Sequence, residues 1–330
     1  MTTIFSRRHF LQASAIAAVL GNTMPATAAV AGYPSKPMRI VVGFAPGGGN
    51  DVLARIIAQK LTASLGKPVI VDNRPGAAGT IGANAVAKAE ADGHTLLLGS
   101  VSNLVIGAST MARMPFDVER DFTPIILTAR MPLVLVVQPA LKINSVAELV
   151  ATAKAKPNAL TYASGGNGVA NDLAGGLFNQ MTGVEISHIP YNGDGAGIAA
   201  LLGGQVSMMY SVLPAAVPHI RSGALKALAV DLGKRAPALP DVPTFAEAGL
   251  PNYEINLWNG ILTTGGTPLD VVQYLHEEIV KILDMPDVSQ QMNTLGFERV
   301  TPSREQFAAL IKADGAKWPS LVNKLGRRGS

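Results

Sequence analysis

The 330-residue chain has no cysteine, which excludes disulfides, thiolate catalysis and thiolate metal sites. Aromatic residues make up 5% and charged residues 15%, and the formal charge is only +4. Arg7 and Arg8 fall in a stretch read below as an export signal; without them 25 of the 27 basic residues remain against 23 acidic ones. Such a balance, with few aromatics, lacks the clustered basic face of a nucleic-acid binder, so no nucleic-acid partner is expected. Past the amino terminus no stretch approaches the roughly 20 apolar residues of a transmembrane helix. There is no G-x-S-x-G elbow, and the glycines of 43–49 lack the Lys-Ser or Lys-Thr of a P-loop. Residues 166–171 are one residue short of a dinucleotide fingerprint, and Glu185 precedes the next strand instead of ending it. His94, His188, His219 and His276 stand singly, without ligand spacing. No metal, cofactor or catalytic set is expected, and the chain reads as a non-enzyme.

What is present is a chain 48% hydrophobic, enough for about two well-filled domains. Residues 1–28 resemble a twin-arginine signal: Ser6-Arg7-Arg8-His9-Phe10-Leu11 precedes a short apolar run, with an A-x-A site ending at Ala28. An ordinary secretory signal with two chance arginines is the alternative. Both place the mature protein in the periplasm.

The stretch around which the rest is organised is the apolar strand expected over 38–44, which stops at Ala45-Pro46-Gly47-Gly48-Gly49-Asn50 and runs straight into a helix. Backbone amides then point outward where the helix dipole is positive, an anion site without a lysine or arginine in the loop. It could equally be the plain first turn of an α/β domain. Leu53, Ile56, Ile57, Leu61 and Leu65 give the helix one apolar face. Strands at 68–72 and 95–98 flank a helix at 81–89, a doubly wound parallel pattern whose ligands sit beyond the strands' carboxyl ends. Apolar runs at 125–128 and 133–138 lead out of this unit. A second α/β set follows, with a helix at 145–154 capped by Ser145, a strand at 160–163, the loop 164–168, a helix at 169–181, a strand at 186–190 and a helix at 198–202. Strands at 206–210 and 225–230, a proline-rich crossing at 233–249, a strand at 257–263 and closing helices complete it. The loops 44–50 and 164–168 repeat one device, a strand, glycines and a helix start. Facing each other across a cleft, they would suit a small dianion.

These residues carry a resemblance to the Bug family, the periplasmic solute receptors of tripartite tricarboxylate transporters. It rests on Phe44-Ala45-Pro46-Gly47-Gly48, Val71-Asp72-Asn73-Arg74-Pro75-Gly76, Asp92-Gly93-His94-Thr95, Tyr162-Ala163-Ser164 with its glycines, Leu202-Gly203-Gly204-Gln205-Val206 and Leu239-Pro240-Asp241-Val242-Pro243-Thr244. The resemblance implies an α/β, two-domain periplasmic binding-protein fold (type II-like) of doubly wound sheets, with a hinge and a cleft between the domains. Residues 33–132 with 232–330 would form domain 1 and residues 133–231 domain 2. It also implies a monomer that captures a small carboxylate and passes it to integral-membrane permease subunits; a periplasmic sensor or a periplasmic enzyme are the alternatives.

The expected ligand contacts are Phe44, Ala45, Gly47, Gly48 and Asn50 on one side and Ser164, Gly165, Gly166 and Asn167 on the other. Ser100, Asn103, Tyr191, Asn192, Ser211 and Trp258 would form the walls. Trp258 is equally a core residue, and Arg74 either a ligand donor or half of a structural ion pair. Family members commonly carry an acid where this chain has Ser211. A site without that charge would leave a ligand ammonium unpaired, which favours an amine-free aliphatic or aromatic dicarboxylate.

Overall fold

Two sheets divide the strands between them. In the computed structural model, which describes residues 30, 32–111, 113–300 and 302–326, the chain runs in order through β1 (Met38–Val42), α1 (Gly49–Leu65), β2 (Val69–Asn73), α2 (Thr80–Ala87) and β3 (Thr95–Ser100). A π-helical segment, Ser102–Ile106, leads through the short helices α3 (Gly107–Thr110) and α4 (Val118–Asp121) to β4 (Phe122–Arg130). Next come β5 (Leu133–Val137), α5 (Val146–Ala155), β6 (Thr161–Ser164), α6 (Ala170–Thr182), β7 (Ser187–Pro190), α7 (Asp194–Leu202), β8 (Met208–Val212), α8 (Leu213–Arg221) and β9 (Lys226–Val230). The chain closes with β10 (Trp258–Thr264), α9 (Leu269–Asp284), α10 (Pro286–Leu295), β11 (Glu298–Arg299) and α11 (Arg304–Lys324). The export signal expected over 1–28 lies outside the described residues.

The first sheet has the order β11-β4-β10-β3-β1-β2 and the second β7-β6-β8-β5-β9. The parallel pattern expected over 38–98 is present, β1 pairing parallel with both β2 and β3, but neither sheet is parallel throughout. In the first sheet β10 is antiparallel to both its neighbours, β3 and β4, and in the second β5 is antiparallel to both β8 and β9. The reason is topological. β10 and β5 are the strands that arrive from the other sheet, so each enters at the end where its neighbours finish and has to run against them.

The amphipathic face of α1 is as the spacing requires: Leu53, Ile56, Ile57 and Leu61 are all buried. The Ser145 cap is also present, its hydroxyl accepting the Glu148 amide at 3.1 Å. α7 starts four residues before the helix expected at 198. Gly195, Ala196 and Gly197 carry little apolar periodicity, but Gly193 (φ +108°) supplies the turn, and Asp194 sits in the first turn, where a negative charge is favourable. The proline-rich stretch expected to cross at 233–249 lies against the second sheet instead. Thr244 bridges Val230, Phe245 stacks on Tyr253 at 4.0 Å, and the Tyr253 hydroxyl donates to the Ala174 carbonyl at 3.0 Å.

The passages between the sheets are tied side by side. The Met131 amide donates to the Leu257 carbonyl at 3.1 Å, and the Asp231 amide to the Leu133 carbonyl at 2.8 Å. Asp231 is buried there, its carboxylate accepting the Ile255 amide at 2.8 Å. Burial pushes its pKa up from 3.8 to about 7, against the opposing effect of that amide. Between about pH 4 and pH 7 the folded chain thus holds a proton that the unfolded chain releases, so this residue's contribution falls as the pH rises. We expect Asp231→Asn to raise stability by on the order of a few kcal/mol at about pH 8 and by little near pH 4. Urea melts at both pH values check this, and equal effects would refute it. A second test concerns Gly260 in β10, where an added Cβ would come 2.3 Å from Phe307 Cζ and 2.7 Å from the Ile126 carbonyl oxygen. Gly260→Ala should cost about 1–3 kcal/mol of unfolding free energy, measured by the same melts.

Candidate functional site

Three helix starts converge where the sheets face each other. α1 is entered through Gly47, whose φ of +85° a Cβ would strain, and the Gly47 amide donates to Asp51 Oδ2 at 3.1 Å. Arg55 Nε donates to the same oxygen at 2.9 Å. Burial pushes the Asp51 carboxyl up, but bonds from Arg55, Gly47 and Asn73 outweigh it and hold the pKa below the ordinary value. α6 repeats the arrangement: the Gly168 amide (φ +67°) donates to Asp172 Oδ2 at 3.0 Å, again four residues on. The Gly165 amide is taken by Asn171 Oδ1 at 3.2 Å, and the Ala170 amide by the Ser102 hydroxyl at 3.3 Å. The repeated device legible in the sequence is therefore a loop closed on a carboxylate of its own helix.

The third start, α7, lies nearest the first loop. A Cβ on Gly195 would come 2.7 Å from the Pro46 carbonyl oxygen, one on Gly193 3.3 Å from the Ala45 nitrogen, and one on Gly48 3.5 Å from Asp194 Cβ. The sequence had set loop 44–50 opposite loop 164–168. In the fold, residues 193–195 sit directly on it, and Gly165 flanks them from the side.

Two adjoining cavities share Phe44 and Gly165. The smaller, about 50 Å3, is also lined by Gly48, Gly49, Asn50, Ser100, Ser102, Asn171, Asp194, Trp258 and Asn259. The larger, about 440 Å3, is lined by Gly166, Asn167, Tyr191, Asn192 and the turn 75–79. Among the expected contacts, Phe44, Gly48, Asn50, Ser100, Gly165 and Trp258 thus border the first and Phe44, Gly165, Gly166, Asn167, Tyr191 and Asn192 the second. Ala45 and Gly47 are spent on the start of α7 and on Asp51. Asn103 Oδ1 accepts the Ser100 amide at 2.8 Å and the Ser100 hydroxyl at 3.2 Å, so it braces Ser100. Trp258 is both wall and core: its indole N–H donates to Asp314 Oδ2 at 2.6 Å and its ring meets Phe307 edge-on. Arg74 pairs with Asp72 at 2.8 Å, the structural reading of that residue.

Ser164 and Ser211 are buried and border neither cavity. The Ser164 hydroxyl lies 2.6 Å from His188 Nε2, and His188 Nδ1 lies 3.3 Å from Asp172 Oδ1. The sequence hid this serine, histidine and acid because they sit on three different elements. The order matches a hydrolase triad, but Ser164 has no exposed surface, and Tyr162 stacks on His188 at 4.9 Å. The set joins β6, β7 and α6 and leaves no room for a substrate at the hydroxyl.

Sequence reasoning missed Asn259, Asn171 and Asp194. Asn259 Nδ2 donates to Asn50 Oδ1 at 2.6 Å, while its own Oδ1 is buried without a protein partner at the cavity. Its signal was an amide side chain in a buried strand, between Trp258 and Gly260. Asp194 Oδ1 accepts from Asn171 Nδ2 at 2.7 Å, and Oδ2 accepts from the Ser211 hydroxyl at 3.0 Å and the Val212 amide at 2.8 Å. Burial raises its pKa to about 6 against those three bonds. The acid missing at Ser211 is therefore restored from α7, and the premise of an acid-free site does not hold.

Gly49 seats α1 against the second sheet: an added Cβ would come 2.7 Å from Val212 Cγ2 and 3.0 Å from Met131 Sδ. Gly49→Ala should wedge the two faces apart, giving a larger radius of gyration by small-angle scattering with unchanged circular dichroism. An unchanged radius would refute the contact.

Solved structures resemble this fold closely. Periplasmic binding protein BugD is 33% identical, with a TM-score of 0.84 over 90% of this chain and 99% of that one. R. palustris Rpa4515 with adipate is 34% identical, with a TM-score of 0.86 over 89% of this chain and 98% of that one. MatC from Rhodopseudomonas palustris with bound malate is 31% identical, with a TM-score of 0.83 over 88% and 100%. The model of the tripartite tricarboxylate transporter family receptor, TctC, matches residues 53–327. The two-domain periplasmic binding-protein fold and the sequence match agree, and the chain belongs to the TctC family of tripartite tricarboxylate transporter receptors.

Proposed function

We propose that the chain is an exported periplasmic receptor that binds a small dicarboxylate between two lobes, one built on each sheet, with residues 233–249 packed on the second, and delivers it to membrane permease subunits. One observation carries this reading: three helix starts, of 17, 13 and 9 residues, converge on cavities with no lysine or arginine among their described lining residues. Their dipoles and amides favour an anion that side-chain charge does not. The adipate and malate held by the two R. palustris relatives are of this chemical class. The smaller cavity has room for only a few waters, so entry requires the lobes to part. The tied passages at Met131 and Leu257 and at Leu133 and Asp231 are short enough to act as the hinge.

A panel of four- to six-carbon dicarboxylates tests the reading by thermal shift. A true ligand at a hundred times its dissociation constant adds about 2.7 kcal/mol, a rise of several degrees for a chain of this size. No stabilisation by any member would overturn it.

A further inference from the structure

Asp194 is a half-buried acid at the place where the ligand's own carboxylate is expected, and it is the one titratable side chain among the described residues lining the smaller cavity. Its two oxygens are not equally engaged. Oδ2 holds two donors, the Ser211 hydroxyl and the Val212 amide, whereas Oδ1 holds one, Asn171 Nδ2. A carboxylate oxygen has capacity for about two bonds, which leaves room at Oδ1 for another donor. Gly165, which borders the same cavity, stands beside that oxygen: the position a Cβ would take on it lies 3.5 Å from Oδ1. On the other side Asp194 Cβ stands 3.5 Å from where a Cβ on Gly48 would be, beside the amides that open α1. A carboxylate seated on those amides therefore brings its neighbouring carbon to Asp194.

We propose that Asp194 is a specificity-determining residue that selects acids bearing a hydroxyl or ammonium donor on the carbon next to a carboxyl group over the unsubstituted acid of the same length. This rests on the carboxylate site described under Proposed function and names the substituent it recognises. A plain methylene there leaves a desolvated acceptor without a partner, while a donor completes it. It also reverses the preference for amine-free ligands that Ser211 suggested.

Calorimetric titration of the mature protein and of Asp194→Asn with matched acids tests this, using succinate against malate and aspartate, and adipate against 2-aminoadipate. The parent should bind the donor-bearing member of the accepted length roughly tenfold or more tightly than its plain counterpart, and Asp194→Asn should erase the difference. Equal or better binding of the plain acid by the parent, or a preference that survives in Asp194→Asn, overturns the assignment. Should that variant fail to melt cooperatively, the parent decides alone. Its preference must shrink from about pH 8 to about pH 5, where Asp194, raised by burial to about 6, takes up a proton, and a constant preference overturns the assignment. If neither member of any pair binds, the carboxylate reading itself fails.

Discussion

A cleft with no lysine or arginine among its described lining residues leaves the holding of an anion to backbone amides and neutral side chains, and that constraint governs how the chain is folded around it. Amides are fixed to their helices, so the helices themselves have to be aimed, and aiming three of them at one place leaves little freedom elsewhere. Glycine is needed where the loops approach one another, at Gly47 for its φ of +85° and at Gly195 for its contact with the Pro46 carbonyl. The carboxylates of Asp51 and Asp172 each take up a loop amide, so the loops are braced from behind before any ligand arrives. Preorganisation of this kind lets dipoles act without reorganising when the ligand enters.

The same requirement explains why polar side chains near the cleft are so often turned toward each other. Asn103 braces Ser100, Asn259 braces Asn50, and Ser211, Asn171 and the Val212 amide together brace Asp194. Apart from the local Asn103 to Ser100 tie, these bonds join separate segments of the chain, and each fixes a residue that borders a cavity. The Ser164, His188 and Asp172 set belongs with these ties.

Much of the fold could be read from local chemistry. The apolar face of α1, the Ser145 cap and the glycine loops are written in short spacings, and they formed where the spacing put them. What was hidden depends on contacts between distant segments. The reversed directions of β5 and β10 follow from which sheet a strand comes from, which periodicity does not encode. Asp194 lay outside the helix expected at 198–202 because the first turn of α7, Gly195-Ala196-Gly197, carries no apolar spacing, and its partners appear only once β8 is laid beside it. A missing acid at position 211 is a reliable statement about one residue and an unreliable one about a site, since a neighbouring element can supply the charge.

The tie between the Asp231 amide and the Leu133 carbonyl has a consequence for the history of the molecule. The entire second sheet, from Leu133 to Val230, is spliced into the chain through two adjacent strands, β5 and β9, whose outer ends meet at one hydrogen bond. A module whose two ends leave side by side can be grafted into a host at a single point, without rethreading either partner. The receptor is laid out as one α/β unit interrupted by another, so recombination could exchange half of the binding cleft while the other half stayed in place.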